Sequence, residues 1–267
     1  MKKYLAVFRM RFTNTLQYRA AALAGMATQF AWGFMLILAY SAFYRSNPTA
    51  FPMEFSQMTS YIWMQQSFFM LFTSWLTPDD ITASIESGDI AYDMARPIDL
   101  YNRWFCQLTA IRVAKTVLRC LPVLLVAFIV PEPFRMSIPP DVNTLLLFLL
   151  SSILSLGVLA AYTLIVYSAI FYTLSFRGIR AAVGACADFF AGAVIPLPFF
   201  PKQWQTVLEL LPFAAMQNAP LRIYSGSLTG ETAAKAMLLQ VFWLIIMIVS
   251  GRLCIGRALK KVVVQGG

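Results

Sequence analysis

Apolar runs separated by short polar breaks set the pattern of this chain. Six such runs, at residues 20–43, 58–76, 120–130, 145–174, 181–195 and 236–255, predict membrane-spanning helices, since a span needs about 20 mainly apolar residues. The 120–130 run is short, but the helix that carries it resumes near Leu100 and holds Arg103, Arg112, Lys115 and Arg119 first. That third span is therefore expected to begin in cytoplasm or interface and to reach the far side at Pro131-Glu132-Pro133. Ahead of the first run, Met1, Leu5, Phe8, Phe12 and Leu16 recur at helical spacing, with Lys3 and Arg11 well off that stripe. Residues 1–19 thus predict a helix lying in the membrane interface; a basic, partly ordered tail is the alternative. The charged region is too long, and the following run too long, for a cleavable signal peptide. The predicted fold is all-α, a single polytopic domain over 1–267 with six spans.

Composition sharpens this picture. The chain is 59% hydrophobic and only 12% charged, where soluble domains average about 25% charged. Its length leaves no room for a soluble catalytic domain beside six spans. With the N-terminus inside, 16 of the 21 Lys and Arg fall on the cytoplasmic side, so both termini are expected in the cytoplasm. That distribution accounts for the +9 balance without nucleic acid. The sequence contains no His, no GxxxxGK[ST] phosphate loop and no Ser/His/Asp or Cys/His set, so no catalytic residues are expected. Cys106, Cys120, Cys186 and Cys254 lack CxxC spacing and read as small buried apolar residues, with no metal site.

One polar island interrupts the hydrocarbon. Six of the twelve acidic residues, Asp79, Asp80, Glu86, Asp89, Asp93 and Asp99, lie between Pro78 and Arg103, on the cytoplasmic side under this topology. Pro78 and Asp79 predict a helix start, Ile81 and Ile85 (with Ala91 and Tyr92) an apolar face, and Gly88 a stop. Pro97 biases Ala95 and Arg96 away from helix before Asp99 relaunches the chain. The spacing fits either a short helix parallel to the membrane, against which a soluble partner pushes, or an ordinary solvated loop.

Asp188 is the carboxylate inside a predicted span, flanked by Gly184 and Gly192 at four-residue spacing, which lets that face approach another helix closely. It reads as part of a translocation path, a subunit contact or a structural hydrogen bond; Gln65 and Gln66 in the second span are weaker candidates of the same kind. Pro196, Pro198 and Pro201 break the fifth helix at the outer boundary.

The interfacial helix, the six spans, the string IESGDIAYDMARPID and the pair IPLPFFPKQW and LELLP resemble, over essentially the whole chain, the permease subunits of bacterial ABC transporters of the second exporter type. The resemblance implies that residues 78–103 form a coupling segment docking on a separate ATPase. Glu86, Asp89, Asp93 and Arg96 would make polar contacts there, Ile85 and Ile90 would serve as apolar anchors, and Ile81, Gly88, Pro97 and Asp99 would shape the segment. It implies an extracellular gate over 196–235 with Pro196, Pro198, Pro201, Trp204 and Pro212. It also implies a second permease, identical or related, and two cytoplasmic ATPase subunits that bind the ATP and Mg; this chain would bind no cofactor itself. The location implied is the bacterial inner membrane, with membrane lipids as neighbours and a lipophilic or amphipathic substrate exported. An ion-coupled carrier using Asp188, or a membrane enzyme acting on lipids, is the alternative.

Overall fold

A computed structural model describes residues 2–76, 78–173 and 176–260. Met1 of the amphipathic stripe, Leu174 at the end of the fourth apolar run and Lys261 of the basic C-terminus lie outside the described residues. Among the described residues there are thirteen α-helices and no strand: α1 (Lys2–Leu16), α2 (Arg19–Ser46), α3 (Phe55–Ser67), α4 (Phe69–Phe72), α5 (Asp79–Glu86), α6 (Ile90–Met94), α7 (Leu100–Ile129), α8 (Val142–Ser168), α9 (Phe176–Phe190), α10 (Lys202–Leu210), α11 (Pro212–Met216), α12 (Asn218–Tyr224) and α13 (Gly230–Leu259).

Three segments are long and apolar enough to cross a membrane by length and composition: Arg19–Ser46, Val142–Tyr172 and Gly230–Leu259. They leave large apolar side chains uncovered, among them Leu23, Trp32 and Leu38 on α2, Leu146 and Ile153 on α8, and Leu238, Ile245 and Leu253 on α13. A continuous apolar surface of that extent needs hydrocarbon rather than water around it. α13 packs along α8, and a polar knot fixes their register. Fully buried Gln240 donates through Nε2 to Ser155 Oγ at 2.9 Å and to the Ala215 carbonyl at 3.0 Å, while Ser151 Oγ donates to its Oε1 at 2.8 Å.

The other three expected spans depart from simple rods. α7 runs unbroken for 30 residues with Pro122 inside it, and Arg112, expected ahead of the span, sits near its middle with no exposed surface. α9 is only 15 residues, about 22 Å of rise against a hydrocarbon core of about 30 Å. The second span is not one helix. α3 ends at Ser67, α4 adds one turn, and Thr73 is extended at φ −66° and ψ 135°. Every residue of α3 from Met58 to Ser67 is buried, so this helix is sheathed by protein rather than lipid. Its polar groups are served accordingly: Ser67 Oγ donates to the Trp63 carbonyl at 2.7 Å, and Trp63 Nε1 donates to the Phe134 carbonyl at 2.9 Å.

α1 forms where the amphipathic stripe predicts it and lies along α7. Its inner face is rotated from the predicted one: Phe8, Phe12 and Leu16 are half-buried but Leu5 is exposed, and Arg11 turns inward. All four cysteines are free thiols; Cys186, expected inside, is exposed on α9.

Candidate functional site

The acidic island folds into α5 and α6, joined by a turn at Gly88, whose φ of +82° is a left-handed conformation that glycine adopts without a Cβ penalty. Ile81 and Ile90 are buried and Ile85 half-buried in a cluster with Trp104 and Leu108 of α7, Leu164 and Tyr167 of α8, Phe176 of α9 and Ile255 of α13. Burying side chains of this size contributes about 1.5–3 kcal/mol each, so the pair of short helices is anchored against four long elements. Ile85 and Ile90, read from the sequence as apolar anchors of a docking segment, face the chain's own core here. Tyr92, expected on the apolar face, is 75% exposed, and Met94 is exposed beside it.

Charges complete the anchoring. Asp80 meets Arg11 of α1 at 2.5 Å and accepts from Gln107 Nε2 of α7 at 2.7 Å. Asp93 is gripped by Arg103 of α7 in a two-pronged pair, with Arg96 at 3.7 Å, so Asp93 is turned against α7 and only Arg96 of the two stays exposed. Lys3 Nζ donates to the Pro97 carbonyl at 2.8 Å, and Asp99 caps α7 by accepting from the Asn102 amide at 2.8 Å. A cavity of about 230 Å³ between α1, this segment and α7 is walled by these same pairs. The tip, Glu86, Ser87, Gly88 and Asp89, is exposed, as are Tyr92 and the stretch from Met94 to Pro97.

Immediately before α5 the chain is a strap, residues 73–76, packed at the depth of the helix middles. Arg112 holds it. Its guanidinium donates to the carbonyls of Thr73 at 2.6 Å, Leu76 at 3.0 Å and Leu71 at 3.5 Å, and to Thr163 Oγ1 of α8 at 3.4 Å. Non-helical backbone survives in an apolar medium only where protein satisfies it, and here one buried arginine answers three carbonyls freed by the broken helix. Ala110 and Ala114 on α7 are fully buried small residues beside it. No sequence pattern singled out Arg112; an intramembrane arginine inside an otherwise helical run was the available signal.

On the strap's other side, Asp188 Oδ1 accepts from the Ser74 amide at 3.2 Å, and Ser74 Oγ donates to the Gly184 carbonyl at 3.0 Å. The small-residue face of α9 therefore receives a non-helical strap, not another helix. Gly192 is not on that face at all. α9 stops at Phe190, and Gly192, at φ +82°, is the glycine of a Schellman turn: its amide donates to the Phe189 carbonyl at 3.2 Å and the Ala193 amide to the Asp188 carbonyl at 2.9 Å. Gln65 Nε2 reaches the Ala193 carbonyl at 3.0 Å, tying α3 to this turn, whereas Gln66 packs toward Gly33 of α2. Asp188, Gly184, Gly192 and Gln65 are thus brought together around the broken span, and Gln66 is not.

Beyond the turn, the prolines start short helices. Pro196 precedes a 3-10 turn over Leu197–Phe199 that contains Pro198, Pro201 precedes α10, and Pro212 is the first residue of α11. Phe199 packs on Tyr40 and Phe51, each at 4.9 Å between ring centres, while Trp204 is exposed. α12 is buried along its whole length, with Arg222 paired to Glu209 of α10.

The described residues thus form an all-helical body with uncovered apolar helices, a buried broken span and a polar hairpin. No curated protein matches the chain. A family described as ABC-2 family transporter protein matches residues 30–266, nearly the whole length. The chain is a multi-pass membrane protein, the permease component of an ABC transporter, and it belongs to the ABC-2 transporter family.

Proposed function

We propose that this chain is the permease half of an ATP-driven exporter of the bacterial inner membrane, crossing it six times with both termini cytoplasmic. Two ATPase subunits, which carry the ATP and Mg, dock beneath it. A second permease, identical or related, completes a route for a lipophilic or amphipathic substrate, with the 196–235 segment as its outer gate. The observation that carries the reading is the α5–α6 hairpin, whose inner face is bonded to α1, α7 and α8 while Glu86, Asp89 and Tyr92 stand free at its tip.

The lever has a defined transmission. A push on the tip moves α5 and α6 as one body, because their apolar face is buried. Asp80 and Asp93 pass the motion to α1 and α7, and the strap passes it to Arg112 and to Asp188 on α9. The strap of the broken second span, held by Arg112 and Asp188 rather than by helix bonds, is the stiff link that carries the motion inward.

Tagged protein should bring down a P-loop ATPase from solubilised membranes. The double variant Glu86→Lys, Asp89→Lys should reduce that recovery by at least about tenfold, since opposing a docking surface with like charge costs more than the ~1.4 kcal/mol that a tenfold loss needs. Both residues are exposed, so thermal stability should not change. Undiminished recovery, or a chain that purifies alone and transports without ATP, overturns the proposal.

A further inference from the structure

A cleft of about 680 Å³ opens between α10, α12 and the start of α13. Its wall changes character along α13: Thr232 and Lys235 come first, then Leu238, Leu239 and Phe242, one to two turns deeper. Lys235 to Phe242 is about 10 Å of helix rise, the scale of the step from head group to acyl chain. Leu238 and Phe242 are 69% and 51% exposed, so none of the described residues covers the apolar end. Opposite them stand Glu209, Asn218 and Arg222. The charges balance, Arg222 against Glu209 and Lys235 against Glu231. Asn218 is only 3% exposed, and its Oδ1 has no hydrogen-bond partner among the described residues. A buried acceptor left without a donor is costly, and a donor brought in by a ligand removes that cost.

We propose that this cleft holds a zwitterionic phospholipid whose head group carries both a phosphate and N–H donors, the phosphatidylethanolamine class. The phosphate lies toward Arg222 and Lys235, the ammonium donates to Asn218 Oδ1 and the Glu209 carboxylate, and an acyl chain follows Leu238 and Phe242. Balanced rim charge favours a zwitterion over an anionic head, and a buried acceptor without a donor, Asn218 Oδ1, favours an ammonium over choline. The site is independent of the coupling mechanism: it stands or falls on lipid binding alone.

The test is native mass spectrometry of the full chain in mild detergent, titrated with phosphatidylethanolamine, phosphatidylcholine and phosphatidylglycerol of matched acyl chains. Ethanolamine lipid should be retained about fivefold over choline lipid, the worth of one or two hydrogen bonds. Leu238→Trp, at an exposed position that fills the cleft, should abolish the preference without lowering the melting temperature. Equal retention of ethanolamine and choline lipids, preferential retention of the glycerol lipid, or an unchanged preference in L238W overturns the proposal. So does a loss of dimer mass in L238W, which would make the cleft a contact with a second copy.

Discussion

Two arginines hold the chain on either side of Pro78, and they work in different media. Arg11 meets Asp80 at 2.5 Å, with the two side chains 30% and 44% exposed. Arg112 has no exposed surface and meets backbone carbonyls instead of a carboxylate. A water-accessible ion pair is screened, and each partner is resolvated when the other leaves, so its net worth is about 0–1 kcal/mol. A sealed guanidinium cannot be replaced by water, and each carbonyl it serves would be left unpaired. The exposed joint is therefore soft and exchangeable, while the strap joint is stiff.

The sharpest way to break this contrast is Arg112→Met. Losing donors to three carbonyls, at about 1–3 kcal/mol per unpaired buried group, should cost at least about 3 kcal/mol, read as a large drop in detergent melting temperature and in recovered folded protein. Arg112→Lys should recover only part of it, because a single ammonium does not span the carbonyls of residues 71 to 76. If R112M melts like the parent, the strap is not held as described.

A smaller effect is expected at Asp188. Asp188→Leu unpairs the Ser74 amide and should cost about 1–3 kcal/mol, while Asp188→Asn keeps an acceptor oxygen and should cost clearly less. Equal losses in the two variants would mean that the negative charge, not the hydrogen bond to Ser74, is what α9 contributes. The smallest effect belongs to the exposed joint. Arg11→Ala with Asp80→Asn should change stability by less than about 1 kcal/mol and vanish in high salt, while ATPase stimulation in the reassembled complex falls. A stability loss as large as that of R112M would erase the distinction.

Features set by neighbours in sequence were legible. Stripe spacing announced α1; Pro78, Asp79, Gly88 and Asp99 marked where α5 starts, where it stops and where α7 begins. Three apolar runs read directly as crossing segments. The break in the second span was not legible, because residues 68–76 contain neither Pro nor Gly, and Thr73 and Ser74 alone are too weak a signal to end a helix. The end of α9 was partly so: a glycine followed within four residues by Pro196 is a stop signal, but the spacing of Gly184, Asp188 and Gly192 suggested a continuous face instead.

Sequence by itself determined that this is an all-helical membrane protein and that half of its acidic residues gather in one break between apolar runs. Tertiary structure alone decided which face of the hairpin is hidden and where the second span gives up its helix. It also decided that Arg112 and Asp188, distant in sequence, hold the strap between them. Caps and turns are satisfied within a few residues, so a sequence displays them. A backbone opened inside an apolar body must find its donors wherever the fold brings them, and no local pattern records that.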